Sequence, residues 1–240
     1  MHETGVGEAK GGVFDDLVEM FVAPSRVFER RRDGRYGKLL MLLMVITLVV
    51  MVATMGVSAP FWDAQFDLAM KQAAAKGQAM PEGAAADTAR SIGRWMGTVG
   101  GAVFVPIFVW VGALFIMLGA KVAGTSLSFA QGATIFTLAG IPRLLSPVVM
   151  AVQGLLLPTS QITSMHSASL GPARFFDAET TSAAIMSVLS NFDVINLWAF
   201  ALVGIGISVM GRVSRANGFV GVIVVFAGIL ALSLIPGAVS

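Results

Sequence analysis

Arg143 is set in Gly140-Ile141-Pro142-Arg143-Leu144-Leu145, with apolar sequence on both sides. A guanidinium at such depth costs about 2.5–3.5 kcal/mol on membrane-insertion scales, so it must face protein or water and find a partner. Asp193 is the only carboxylate close to an apolar stretch, which makes an Arg143–Asp193 pair the favoured expectation. Asn191 and Asn196 flank Asp193. Together the four are expected to form an intramembrane polar cluster, as hydrogen-bonded glue between helices or as the lining of a solute path. The alternatives are that each charge snorkels to an interface, or that Arg143 marks the turn of a hairpin.

Other chemistry is thinly represented. The chain has no cysteine and two histidines, His2 and His166. Thiolate catalysis and disulfides are therefore excluded, and no H-E-x-x-H, G-x-S-x-G or phosphate-loop pattern occurs. Ser164, His166 and Ser167 lie too close along the chain to imply a triad, with no carboxylate placed to orient the ring. No catalytic residue, metal site, cofactor or nucleic-acid partner is expected.

The elements that position these residues follow from composition. Hydrophobic residues make up 56% of the 240-residue chain and charged residues 12%, against about 25% charged in an average soluble domain. Mean hydropathy is +0.81. A soluble enzyme is close to excluded, and the fold class is all-α, a polytopic membrane bundle. Crossing hydrocarbon takes about 20 apolar residues. Spans are expected at about 38–60, 95–121, 128–157, 192–211 and 216–235. Pro106 kinks the second without ending it, and Pro236-Gly237 closes the fifth. The third is long for one crossing, so it is either one span kinked at Pro142 and Pro147 or a re-entrant hairpin.

Charge favours the single kinked span. Lys10, Arg26, Arg30, Arg31, Arg32, Arg35, Lys38, Lys121, Arg212 and Arg215 then share one side, against Lys71, Lys76, Arg90, Arg94 and Arg174 on the other. The positive-inside rule places the N-terminus in the cytoplasm of a cell (inner) membrane and the C-terminus opposite.

Residues 1–12 are polar and Gly-rich and are expected to be a disordered tail without a secretory signal. Residues 13–36 are expected to form an amphipathic, basic interfacial segment. Phe14, Leu17, Val18 and Phe21 recur at helical spacing, with Asp15, Asp16 and Glu19 facing away. Pro24 breaks this helix, and a second carries Val27 and Phe28 into Arg30-Arg31-Arg32. Phe14, Phe21 and Phe28 would rest in the headgroup boundary, and Arg26, Arg30, Arg31, Arg32 and Arg35 would meet anionic lipid. Packing of this segment on the bundle is the bland alternative.

The loop from Asp63 to Arg94 contains good helix formers from Ala64 to Ala75, a break at Met80-Pro81-Glu82-Gly83, and a helix entering the second span. Gly97 and Gly101, Gly112 and Gly119, and Gly204 and Ser208 supply small surfaces for close helix packing, within the chain by default or in a homo-oligomer. No internal repeat is visible, which argues against a transporter built from inverted halves.

The chain resembles the Yip1-type membrane protein family, in its bacterial branch. The resemblance rests on three regions: Phe14 to Phe28 ahead of the first span, the Gly140-Ile141-Pro142 break, and Asn191-Phe192-Asp193-Val194-Ile195-Asn196-Leu197-Trp198, the last followed by Gly204 to Ser208 and Ser214-Arg215-Ala216. It implies a five-span bundle with a cytoplasmic N-terminus. Eukaryotic relatives bind Rab-type GTPases, but the Asp-Leu-Tyr-Gly-Pro motif is absent here and Tyr36 is the only tyrosine, which argues against a GTPase partner. The expected function is a non-enzymatic membrane-organising or scaffold role, with membrane lipid and other membrane proteins as partners. The alternative is a small-solute permease or channel lined by Arg143, Asp193, Asn191 and Asn196.

Overall fold

The computed structural model describes the backbone over residues 12–239 and the side chains over residues 12–234, so the expected tail, His2 and Lys10 lie essentially outside the described residues. Among the described residues, five helical runs are long and apolar enough to cross a membrane: Gly37–Ala75, Val105–Val122, Phe129–Leu156, Val194–Gly211 and Arg215–Leu234. The fold is an all-α helical bundle.

Two short helices precede the first span, α1 (Val13–Val22) and α2 (Pro24–Arg30). Pro24 opens α2, where its missing N–H costs nothing and its fixed φ suits a first turn. The two helices pack on each other as a hairpin, and α2 runs along the fourth span. This hairpin corrects the expected orientation of α1. Asp16 does not face away from the bundle but is fully buried, as are Met20, Val27 and Phe28. The reason is electrostatic: α2 returns Arg30 and Arg31 to the Asp16 carboxylate, which removes the cost of burying it. Phe28 therefore sits in the core, not at the headgroups.

The first span, α3 (Gly37–Ala75), is a single helix of 39 residues. At 1.5 Å per residue it is about 58 Å long, far beyond a hydrocarbon core. Its last turns carry the helix-forming loop segment outward without a break at Asp63. Beside it stands α4 (Ala84–Val103), held by Arg90 to Asp67 at 2.7 Å and Arg94 to Asp63 at 3.6 Å. Trp62 packs across Gly97, where a Cβ would lie 2.3 Å from the indole. α4 gives way to α5 (Val105–Val122) at Phe104. Pro106 thus begins a new helix, where a kinked but unbroken one was expected.

The third region is one bent run. It comprises α6 (Phe129–Ala139), a 3-10 segment (Ile141–Leu145) and α7 (Ser146–Leu156). α6 packs on α5, whereas α7 packs on α3, so the two arms diverge instead of pairing as a hairpin would. Pro142 and Pro147 each open the segment they lie in, which is where proline is tolerated. The chain then passes through short turns to α8 (Ala183–Asn191), α9 (Val194–Gly211) and α10 (Arg215–Val239). α10 continues helically past Pro236, beyond the expected stop.

α9 is the most enclosed span and lies against α2, α6 and α10. Small residues set its spacing to α10. A Cβ on Gly218 would fall 2.5 Å from the Gly204 carbonyl, and one on Gly119 of α5 would fall 2.4 Å from the Gly221 carbonyl of α10. Such contacts let backbones approach where dispersion, not water exclusion, drives helix association. The largest core cluster joins Phe28, Ile116, Ile135, Leu138, Leu202, Ile207 and Val225.

Candidate functional site at the bend of the third span

The bend presents Arg143 to the bundle interior. Gly140 ends α6, and the tight 3-10 turn that follows projects Arg143 between α6 and α9. Its Nε donates to Asn196 Oδ1 at 3.1 Å, and its guanidinium carbon lies 5.8 Å from the Phe136 ring centre. The expected Arg143–Asp193 pair does not form, and among the described residues no carboxylate makes an ion pair with Arg143. Asp193 has other work. It is the N-cap of α9, accepting from Ile195 N at 2.9 Å, and it also takes Ser169 Oγ at 2.9 Å and Leu170 N at 2.7 Å. A carboxylate at an N-cap meets orphan N–H groups and the positive end of the helix dipole, which holds it away from Arg143.

The two asparagines part company as well. Asn196 joins Arg143 and also donates to the Ser190 carbonyl at 3.2 Å. Asn191 turns to the Ser187 carbonyl at 2.8 Å and to Ser233 of α10. Only Arg143 and Asn196 of the four expected cluster members touch each other.

Each member of this pair lines a cavity. One, of about 490 Å³, is overwhelmingly apolar and has Arg143 in its wall, with residues of α3, α5, α6 and α10. The other, of about 230 Å³, is lined by Asn196, Asp193, Ser190 and His166. His166 lies 3.0 Å from Ser190 through Nδ1, and burial pushes its pKa below the ordinary value. The Ser190 hydroxyl also donates to the Met186 carbonyl at 2.7 Å. Sequence spacing gave no signal for the Ser190–His166 contact.

The N-terminal arginines are engaged internally. Arg30 reaches Asp16 and Glu19, both at 2.6 Å, and Arg31 reaches Asp16 at 2.5 Å. Arg32 pairs with Glu29 at 2.7 Å and donates to the Val209 carbonyl of α9 at 2.6 Å. Arg35 is exposed and pairs with Asp33 at 3.0 Å, and Arg26 is exposed. Phe14, 70% exposed, faces outward, whereas Phe21 meets Trp198 of α9 edge-on at 5.2 Å. Phe28 lies against Gly206.

Two anchoring residues were missed in the sequence. Gln131 completes a capping box with Ser128 and donates to the Arg32 carbonyl at 3.1 Å. The S-x-x-Q pattern at the start of α6 was the available signal. Arg215 spans from Ser208 at 3.0 Å to Ser25 at 2.7 Å. Among the glycines, Gly101 meets Met51, Gly112 lies under the Phe136 ring, and Gly204 meets Phe219, all within the chain.

The chain has a relative named as a membrane protein. It is 22% identical over 242 residues to the membrane protein YknW of Bacillus subtilis (strain 168), covering 99% of this chain and 97% of that protein. No solved structure matches it. The Yip1 domain model matches residues 18–235, from within α1 to the fifth span, and the chain belongs to the Yip1 domain family.

Proposed function

We propose that this membrane protein is non-enzymatic and organises the bilayer or its protein neighbours through the N-terminal hairpin. What supports this most is the division of α1 into two faces. Asp16 and Met20 are buried against the bundle, while Phe14, Val18 and Val22 are 70%, 69% and 77% exposed. Arg30, Arg31 and Arg32 are engaged within the chain, and α1 offers outward an apolar stripe with exposed Asp15 at its margin. α1 also touches the bend of the third span, and Phe21 reaches Trp198. The stripe is thus carried alongside the spans as a wedge in one leaflet, with Arg26 and Arg35 toward anionic headgroups and the N-terminus in the cytoplasm. Further partners would be other membrane proteins or a second copy of the chain.

The native chain has no cysteine, so a spin label on Val18→Cys reports this position alone. In full-length protein in liposomes, the label should collide with oxygen and be shielded from an aqueous nickel chelate. Free access of the chelate would overturn the wedge.

A permease requires a polar route past Arg143. What supports such a reading is that Arg143 lines one cavity and Asn196 the other, with a hydrogen bond joining the two side chains. Opening of that bond is the step such a route would need. Water-soluble thiol reagents should then reach single cysteines placed in both cavity walls.

A further inference from the structure

We infer that the larger cavity is a binding site for a single-chain anionic amphiphile, its alkyl chain between α3, α5 and α10 and its head on Arg143. The inference is independent of the wedge. The cavity volume of about 490 Å³ lies within the roughly 300–1,000 Å³ of small-ligand sites. Leu43, Phe108, Phe136, Leu144 and Leu232 give it an apolar wall. Phe108 and Leu232 are also exposed, so the cavity is open on a surface that hydrocarbon covers.

The polar end is as specific as the wall is bland. Of the Arg143 nitrogens, Nε is taken by Asn196, and the Phe136 ring face lies beside the guanidinium. No carboxylate among the described residues compensates the charge. An unpaired guanidinium in a low-dielectric wall is costly, and an anion that brings two oxygens meets its planar fork. Thr137 and Ser233 line the same cavity, but their hydroxyls donate to the Ala133 and Leu230 carbonyls at 2.7 Å, which leaves the guanidinium as the donor for an anionic head. A carboxylate or a phosphate monoester on one alkyl chain satisfies both halves of the site. A diacyl phospholipid fits less well, since its phosphate is tied to a second chain and to the headgroup layer, whereas Arg143 lies at the middle of the 28-residue run Phe129–Leu156.

The test uses full-length protein in phosphatidylcholine nanodiscs and a diazirine-bearing hexadecanoate as photoprobe. Adducts are expected on the α5 and α6 walls, Phe108 and Phe136 among them. Unlabelled hexadecanoate and hexadecyl phosphate should suppress capture, with hexadecanol about tenfold weaker, the loss expected for one charge-assisted contact. Arg143→Gln should lower capture by about the same factor, and Arg143→Lys, which keeps the charge but loses the planar fork, should fall between the native chain and Arg143→Gln. Thr47→Phe fills the cavity without touching the cation and should abolish capture with the bundle intact. Equal competition by the alcohol, undiminished capture by Arg143→Gln, or adducts outside the cavity would overturn the site. Stronger competition by phosphatidylglycerol than by hexadecanoate would overturn the single-chain assignment.

Discussion

Arg143 Nε meets Asn196 Oδ1 at 3.1 Å, while Asp193, one turn earlier, caps the helix that carries Asn196. The neutral partner holds the cation in place without cancelling its charge. Asn196→Leu leaves Nε without its acceptor and should cost about 1.5–3 kcal/mol, the range for a hydrogen bond to a charged group. It should lower the thermal midpoint in detergent. Asn196→Asp should keep the midpoint and weaken hexadecanoate capture, because the introduced carboxylate competes for Arg143.

The N-terminal hairpin depends on one buried carboxylate. Asp16→Ala removes the shared partner of Arg30 and Arg31. The expected loss is near the low end of the roughly 3–5 kcal/mol of a broken buried pair, since both arginines keep some solvent contact. Amide exchange over residues 13–30 should rise sharply, with the spans still protected. Unchanged exchange there would show that apolar packing alone holds the hairpin.

Glycine positions differ in what they tolerate. Gly119→Val places a side chain against the Gly221 carbonyl, with even the Cβ at 2.4 Å, and forces α5 from α10. A cost of about 1–3 kcal/mol is expected for such overpacking. Gly56→Ala, with nothing within 4 Å of the added carbon, should be neutral or slightly stabilising. Paired thermal melts distinguish the two, and similar midpoints would contradict the α5–α10 contact.

Labelling reads the orientation directly. In otherwise cysteine-free protein, Arg35→Cys should react with an impermeant maleimide only after permeabilisation. Ser160→Cys, exposed in the turn after α7, should react in intact cells. Reaction of both in intact cells would defeat the odd number of crossings.

Acidification should loosen the turn around His166. Burial lowers its pKa from the ordinary 6.5, so the unfolded turn binds a proton before the folded one does. The stability contributed by neutral His166 is present above about pH 6.5 and is lost as pH falls through the lower folded value. Amide exchange of Ser164–Ala168 should therefore accelerate on going from neutral to acidic pH. His166→Gln should flatten that dependence, and an equal acceleration in the variant would assign it to another group.

Apolar run length and the near-absence of charge were enough to establish a membrane-embedded all-α chain with five helical runs, because hydrocarbon leaves a backbone few ways to satisfy its hydrogen bonds. Pro142 marked the bend, and the isolation of Arg143 marked the residue most in need of a partner. Which partner it takes was decided by tertiary structure. Asp193 and Asn196 are three residues apart, and only the docking of α6 on α9, with the cap geometry of α9, determines which side chain reaches the guanidinium. The fate of Asp16 was equally out of reach, since its burial depends on Arg30 and Arg31 returning across a hairpin. A charge reads as solvent-facing until a distant countercharge is brought to it, and one-dimensional periodicity carries no record of that distance.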